Sequence, residues 1–178
     1  MWPVPIDETA EFRPIRIAVL TVSDSRTRET DKSGGYLCAA LQDLGHTLAD
    51  YAIVPDDQGA ILGRLHQWVG DQSIPCVLIT GGTGVTGRDV TPEALKVLDG
   101  KEIPGFGELF RWISYRTIGT STIQSRAIAY IVRSTYIFAM PGSTGACEDA
   151  WEHILVHQLD SRFKPCNFVE LIGRLREV

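Results

Sequence analysis

The chain lacks several features that would place it at once in a large class of proteins. No segment approaches the roughly 18 continuous apolar residues that a membrane-spanning helix needs. Residues 1–5 contain neither a basic leader nor a signal-like apolar run. We therefore expect a cytoplasmic protein that has no membrane partner.

Cysteine pairs and basic clusters are also missing. The four cysteines, Cys38, Cys76, Cys147 and Cys166, lie far apart without a Cys-x-x-Cys pair, which disfavours a zinc knuckle or a redox motif. Lys and Arg number 17 against 22 Asp and Glu, for a formal net charge of −5. Because phosphate neutralisation needs a basic face, we expect no nucleic acid partner.

The length and composition predict one folded domain with an extension. The chain has 178 residues, of which 44% are hydrophobic, enough for a single sizeable core. Residues 1–14 include three prolines and are predicted to form an extended N-terminal arm. Trp2 and Phe12 suggest that this arm packs on the body or on a neighbouring molecule. Residues 15–178 form the predicted domain.

Apolar strands alternate with amphipathic helices along that domain. Predicted strands at 15–22, 48–54 and 75–80 are each followed by a predicted helix, at about 33–44, 58–70 and 92–98. Another helix from about 104, strands at 128–132 and 136–140, and helices at 146–159 and 167–175 complete the prediction. Such alternation indicates an α/β fold with three layers, α/β/α, around a mostly parallel central sheet. The Arg133-Ser134 link lacks hairpin turn residues, so the pairing of the last two strands stays open.

The most informative segment is the glycine-rich loop after the strand at 75–80. Parallel sheets bind ligands beyond the carboxyl ends of their strands, and glycines leave backbone N–H groups uncovered for an anion. The residues that form this predicted phosphate site are Thr80, Gly81, Gly82, Thr83 and Gly84.

Residues 82–87 also match the G-x-G-x-x-G pattern of dinucleotide-binding folds. Two observations argue against that interpretation. The helix signals come after the loop, with Thr91 as the expected N-cap and Pro92 as the first helical residue. The pattern also belongs on the first βα unit, whereas here it lies in the third, after two predicted helices.

Acidic residues follow two of the predicted strands. Arg88 and Asp89 come after the glycine loop, and Asp56 and Asp57 follow the strand at 48–54. Because parallel strand ends share one rim, Asp56 and Asp89 are candidate Mg²⁺ ligands, with Arg88 as a cation beside the anion site. A solvated Arg88–Asp89 pair is the alternative, and Asp57 is the expected N-cap of the next helix.

These residues fall within a series of ordered motifs that resembles the MoaB and MogA family of molybdenum cofactor biosynthesis proteins. The motifs are Thr-Val-Ser-Asp-Ser-Arg at 21–26, Val-Pro-Asp-Asp at 54–57, Thr-Gly-Gly-Thr-Gly at 80–84, Arg-Asp-Val-Thr-Pro at 88–92, Pro-Gly-Phe-Gly-Glu at 104–108, Ser-Arg at 125–126 and Met-Pro-Gly-Ser at 140–143. The resemblance spans nearly all of residues 16–170. Residues 119–122 and 141–144 are similar to the MoaB branch.

The resemblance implies a molybdopterin-binding-type fold and an adenylyltransferase. The reaction would join ATP and molybdopterin, with Mg²⁺, to give adenylyl-molybdopterin and pyrophosphate. Asp56 and Asp89 would be the catalytic, metal-binding pair. A carrier or scaffold that binds molybdopterin without turnover is the alternative.

The resemblance also extends the predicted binding site to the other strand-end loops and implies further partners. The added residues are Ser23, Asp24, Ser25, Ser125, Arg126, Pro141, Gly142 and Ser143. Ser125 would lie at the pterin. The family further suggests self-association as a homotrimer or a dimer of trimers, and other proteins of the cofactor pathway as partners.

Overall fold

A six-stranded sheet with the order β2–β1–β3–β6–β5–β4 forms the centre of the protein. The computed structural model describes residues 5–175 and 177. The strands are β1 Arg16–Val22, β2 Thr47–Val54, β3 Cys76–Thr80, β4 Lys101–Glu102, β5 Ile128–Val132 and β6 Thr135–Met140. The first three and β6 are mutually parallel, β5 is antiparallel to β6, and β4 is antiparallel to β5. The predicted mostly parallel sheet is confirmed.

Helices follow most of the strands. They are α1 Lys32–Asp43, α2 Gln58–Gly70, α3 Thr91–Val97, α4 Pro104–Ile118, α5 Thr144–Ala150, α6 Val156–Gln158 and α7 Phe168–Leu171. Short 3₁₀ segments, Gly119–Gln124 and Ile172–Arg174, follow α4 and α7. A π-helical segment, Trp151–Leu155, joins α5 to α6, so the single helix predicted at 146–159 is interrupted.

The alternating side chains of β1 show why the sheet needs two helical layers. Ile17 and Val19 pack into a core that contains residues of α1, α4 and α5. Ala18 and Leu20 point to the other face and pack with residues of α2 and α3. Both faces of a strand with period-two side chains are therefore covered, as expected for a parallel sheet. The predicted three-layer architecture is confirmed.

The sequence predicted N-cap residues for α2 and α3, and only the one for α2 is confirmed. Asp57 is the N-cap of α2, as predicted, and its Oδ1 accepts a hydrogen bond from the Ala60 N–H at 2.8 Å. The prediction that Thr91 is the N-cap of α3 is wrong, because α3 begins at Thr91 and Val90 occupies the cap position. The Thr91 hydroxyl instead donates to the Gly81 carbonyl at 2.9 Å, a contact outside the helix.

The pairing left open by the sequence is a hairpin. Val132 pairs with Thr135, so only Arg133 and Ser134 form the turn. Arg133 has φ 57°, in the left-handed region that usually favours Gly or Asn. The buried side chains of β6 outweigh this unfavourable turn, since all six residues of that strand are buried. The two-residue strand β4 was not predicted and pairs with β5 at the sheet edge.

The described part of the N-terminal arm packs on the body. The Asp7 N–H donates to the Arg162 carbonyl at 2.9 Å, and the Phe12 ring lies 5.1 Å from the His46 ring, centroid to centroid. Trp2 lies outside the described residues. Within the described part of the chain, no helix is long and apolar enough to cross a membrane.

The register of the parallel strands brings four loops to one edge of the sheet. Val22 pairs with Val54, and Thr80 pairs with both Thr21 and Met140. The strand order changes direction between β1 and β3, because β2 lies on one side of this pair and β6 on the other. Open α/β sheets bind ligands at such a switch point, so the loops after β1 and β3 are where a site is expected.

Candidate active site

The glycine loop after β3 lies in close contact with the end of β1. Gly81 has φ 105°, and a Cβ atom there would lie 2.2 Å from the Val22 carbonyl oxygen. Gly82 has φ 64°, and its Cβ would lie 2.3 Å from Thr91 Oγ1. Both glycines are therefore required by backbone conformation and by space.

Hydrogen bonds hold this loop from both sides. The Gly81 N–H donates to the Met140 carbonyl at 3.0 Å, and the Thr91 N–H donates to the Gly82 carbonyl at 3.0 Å. The Thr80 hydroxyl donates to the Pro141 carbonyl at 3.2 Å. The loop is thus rigidly joined to β6 and to the start of α3.

Arg126 holds the second half of the loop. Its Nε donates to the Gly84 carbonyl at 2.6 Å, one guanidinium NH2 group donates to the Asp89 carbonyl at 2.7 Å, and the other pairs with the Glu93 carboxylate. The Arg126 N–H donates to the Thr83 carbonyl at 2.9 Å. These contacts make Arg126 a residue that positions the loop.

The two predicted metal ligands both lie against the glycine loop. A Cβ on Gly82 would be 3.4 Å from Asp56 Oδ1, and a Cβ on Gly84 would be 2.8 Å from Asp89 Oδ2. The two carboxylates therefore approach the same short loop from different strand ends.

Asp24 and Arg88 connect the loop after β1 to this acidic pair. The Asp24 N–H donates to Asp56 Oδ2, and the Asp56 N–H donates to Asp24 Oδ1, each at 3.1 Å. The Arg88 guanidinium pairs with the Asp24 carboxylate. This hydrogen-bonded ion pair holds the pKa of Asp24 below its usual range.

The two carboxylates have opposite pKa shifts. Burial, followed by the negative charge of Asp24, raises the pKa of Asp56. Burial also acts to raise the pKa of Asp89, but hydrogen bonds from the Thr86 hydroxyl at 2.6 Å and the Thr86 N–H at 2.9 Å outweigh it, and the pKa is lowered. Asp89 is therefore a carboxylate held by donors, whereas burial and a neighbouring carboxylate disfavour the charged form of Asp56.

A cleft of about 420 Å³ opens beside these groups. It is lined by Thr21, Val22, Ser23, Ser25, Arg26, Ser33, Thr80, Gly81, Gly82, Thr83, Gly84, Asp89, Pro141 and Gly142. The Thr83 hydroxyl is buried and has no hydrogen-bond partner among the described residues, which leaves it able to donate to a ligand. A cleft of hydroxyl groups and loop N–H groups is suited to phosphate oxygens.

A second cavity, of about 350 Å³, lies between α4 and α5 and contains Ser125 and Ser143. Pro141 lines both this cavity and the cleft, so the two spaces adjoin. Ser143 is the N-cap of α5, with its Oγ accepting from the Ala146 N–H at 3.2 Å. Most of the predicted binding residues line the polar cleft, and Ser125 and Ser143 line the neighbouring, more apolar cavity. The predicted residues that line neither space are Asp24, Asp56, Arg88 and Arg126.

Asp31 is a site residue that the sequence reasoning missed. Only 4% exposed, it accepts hydrogen bonds from the Thr21 hydroxyl at 2.5 Å, the Gly34 N–H at 3.0 Å and the Tyr51 hydroxyl. It also contacts the Ser33 hydroxyl, which donates to the Gly142 carbonyl at 2.9 Å. Its position directly before α1, where Asp is a favoured N-cap, was the available sequence signal.

The donor set is compatible with Mg²⁺ bound together with a phosphate ligand. Among the described residues, no group of three or more His, Cys, Asp or Glu side chains is arranged to hold a metal ion. Mg²⁺ commonly takes only one or two carboxylates and completes its shell with water and substrate phosphates. Burial, followed by the charge of Asp24, raises the pKa of Asp56, and a bound divalent cation would favour its ionised form.

Comparison with known proteins agrees with this geometry. The profile of the family described as "Probable molybdopterin binding domain" matches residues 18–161. The chain belongs to this molybdenum cofactor biosynthesis family. It is 52% identical over 160 residues to "Molybdenum cofactor biosynthesis protein B" of Escherichia coli K12, which covers 90% of this chain and 94% of that relative.

Solved structures show the same relationship within this family. A crystal structure of a molybdenum cofactor biosynthesis protein B has a TM-score of 0.83 and 40% identity, over 93% of this chain and 98% of that one. The tungsten cofactor synthesizing protein MoaB from Pyrococcus furiosus has a TM-score of 0.76 and 33% identity, over 93% and 99% of the two chains. The expected family and fold are thereby confirmed.

We predict that Gly81→Ala destabilises the protein by roughly 3 kcal/mol, because the new methyl group meets the Val22 carbonyl and the backbone is left-handed. Gly87→Ala is the matched control, since a Cβ there has no atom within 4 Å. We expect this control to change the free energy of unfolding by less than about 0.5 kcal/mol. Urea denaturation followed by tryptophan fluorescence measures both, and equal stabilities would contradict the close contact.

We also predict that Asp31→Asn lowers stability at pH 7 by about 1–3 kcal/mol, because the ionised carboxylate accepts several hydrogen bonds. Burial acts to raise the pKa of Asp31, but the hydrogen bonds from Thr21 and Tyr51 outweigh it and lower the pKa. The native state therefore gains stability above the unfolded-state pKa, and this gain is lost as the pH falls through the native pKa.

The difference between wild type and Asp31→Asn should accordingly shrink on acidification towards pH 3. Urea denaturation at a series of pH values measures this difference. A constant difference across the range would show that the charge of Asp31 does not contribute.

Proposed function

We propose that the protein is a molybdopterin adenylyltransferase that uses ATP and Mg²⁺. The observation that carries the proposal is the approach of Asp56 and Asp89 to one glycine loop beside a polar cleft. Membership of a molybdopterin-binding family supports molybdopterin as one substrate. The second substrate and the reaction are the proposed part.

In the proposed reaction, a phosphate oxygen of molybdopterin attacks the α-phosphorus of ATP. A new P–O bond forms, the bond between the α-phosphorus and the oxygen that bridges to the β-phosphorus breaks, and pyrophosphate leaves with that oxygen. Both reactants are anions, so positioning and charge stabilisation do most of the catalytic work. No nucleophile from the protein is required.

Each group of the site has a part in this scheme. Loop N–H groups and the Thr83 hydroxyl would bind phosphate oxygens in the cleft. Arg88 does not line the cleft and would add a nearby positive charge that its partner Asp24 partly offsets. Asp56 and Asp89 would hold Mg²⁺, which when bound neutralises phosphate charge. The cavity with Ser125 and Ser143 would take the pterin, next to the cleft across Pro141.

We expect pyrophosphate release from labelled ATP when molybdopterin and Mg²⁺ are present. Asp89→Asn and Asp56→Asn should each reduce the rate at least about 100-fold, because charge stabilisation of the transferring group is lost. Asp57→Asn is the matched control, since Asn caps a helix as well as Asp and the rate should be unchanged.

Two outcomes would overturn the proposal. One is the absence of pyrophosphate release by the wild type, and the other is full activity in Asp89→Asn. Molybdopterin binding that is indifferent to ATP and Mg²⁺, measured by calorimetry, would favour a carrier without turnover.

We further propose that the protein forms a homotrimer or a dimer of trimers through the exposed side of α4 and the 3₁₀ segment after it. Large apolar side chains are exposed there, namely Leu109, Trp112, Tyr115, Ile118 and Ile123, with Ile123 81% exposed. Several large apolar side chains exposed on one helix and the segment after it are typical of a surface that binds a partner. A second copy of the chain is the occupant that the family resemblance suggests. Other pathway proteins and a cytoplasmic location stay predictions.

Analytical ultracentrifugation should therefore give a mass above that of the monomer. Trp112→Glu should shift the population towards monomers, because a charge at an apolar interface is costly to bury. Val97→Glu is the control, since Val97 is equally exposed but lies on α3, on the opposite side of the sheet. A monomeric wild type, or equal dissociation by both variants, would refute this interface.

A further inference from the structure

The cleft described above has to attract an anion although one carboxylate, Asp89, lines it and two more lie close by. Asp24, Asp56 and Asp89 are all at the strand-end edge. An anionic ligand therefore needs a positive charge that is not already neutralised by the protein. A nearby arginine can supply this positive charge only if its guanidinium is not already paired with a carboxylate.

Two of the three nearby arginines are already paired. Arg88 forms a hydrogen-bonded ion pair with Asp24. Arg126 pairs with Glu93, and its remaining donors bind the Gly84 and Asp89 carbonyls. Neither guanidinium can turn fully to a ligand without breaking these contacts.

Arg26 differs from both. It is exposed, it lines the cleft, and it is the one Lys or Arg among the described lining residues. Its guanidinium donates only to a neutral group, the Thr30 carbonyl, at 3.3 Å. Among the described residues it makes no ion pair, so its full positive charge is available to the cleft.

The backbone around Arg26 is fixed on both sides. The Ser23 N–H donates to the Val54 carbonyl at 2.8 Å, which joins the start of the loop to the end of β2. After Arg26, the Thr27 carbonyl accepts from the Asp31 N–H at 2.9 Å, and the Thr27 N–H donates to the Thr30 hydroxyl at 2.9 Å. The loop thus holds the Cα of Arg26 in place, and its exposed side chain would have to release only the contact with the Thr30 carbonyl to turn to a ligand.

We propose that Arg26 is the residue that binds a phosphate group of the ligand in the cleft, and that it selects phosphate-bearing ligands over uncharged ones. A guanidinium can bind two phosphate oxygens at once, which hydroxyl and N–H groups of the cleft then supplement. The phosphate could belong to a nucleotide polyphosphate or to a phosphorylated pterin. This inference deepens the proposed function and depends on its assignment of the cleft to phosphate.

Calorimetric titration of full-length protein with Mg²⁺ plus pyrophosphate, ATP, molybdopterin or adenosine tests the inference. Arg26→Ala should weaken binding of a phosphate-bearing probe about 10- to 100-fold, the usual effect of losing a charged hydrogen bond. Arg26→Lys should recover part of the affinity, because a point charge replaces a bidentate donor. Binding of adenosine should not change.

Arg28→Ala is the matched control. Arg28 lies two residues away, but its guanidinium stacks on the Tyr51 ring at 5.0 Å and donates to the Tyr51 carbonyl at 2.7 Å, and it does not line the cleft. We expect its removal to leave the binding of every probe unchanged. Both arginines are exposed, so both variants should fold, and urea denaturation verifies this.

The titrations also identify the source of the phosphate. Weakened binding of pyrophosphate and ATP alone assigns Arg26 to the polyphosphate, whereas weakened binding of molybdopterin alone assigns it to the pterin phosphate. The inference is overturned if Arg26→Ala binds all probes like wild type, if Arg28→Ala is equally impaired, or if the wild type binds no phosphate-bearing probe.

Failure of this inference can be told apart from failure of the proposed function. Pyrophosphate release by the wild type, with unchanged binding in Arg26→Ala, would refute the role of Arg26 alone. Arg26-dependent binding without any pyrophosphate release would instead refute the adenylyltransferase and leave Arg26 as a phosphate ligand.

Discussion

The close approach of Gly81 to the Val22 carbonyl is the contact on which the rest of the site depends. With no side chain at this position, the loop after β3 can turn directly over the end of β1. This contact brings the loop after β3 against the end of β1, at the point where the strand order changes direction. It also places Gly82 and Gly84 within reach of carboxylates that come from two different strand ends. A larger residue would move the loop and separate these groups.

The charges at this edge are arranged so that each arginine has a separate task. The Arg126 guanidinium binds carbonyl groups of the glycine loop, and the Arg88 guanidinium pairs with the Asp24 carboxylate. Burial and the neighbouring Asp24 carboxylate raise the pKa of Asp56, which disfavours its charged form. A site of this kind suits a cation and a phosphate bound together, since each offsets the charge of the other.

Local patterns along the chain were enough to predict most elements, but not their less regular ends. The capping role of Asp57 follows from its neighbours alone and is confirmed. Thr91 has the same kind of cap signal, yet its hydroxyl bonds to Gly81, ten residues earlier, because tertiary packing offers it another acceptor. The Arg133 turn has no favourable sequence, and the hairpin forms because the buried strand after it must pair. Asp31 has donors from two strands, which no local pattern could reveal.

The amino-acid sequence by itself determined the layered α/β fold, the glycine loop and the strand-end carboxylates, because hydrophobic period, caps and glycines act over a few neighbouring residues. The tertiary structure alone decided which of these groups meet. Arg26, Arg88 and Arg126 look equivalent as sequence, yet within the described part of the chain Arg26 makes no ion pair while the other two do. Their difference arises from residues tens of positions away, brought together by strand register, and electrostatic interaction depends on distance in space.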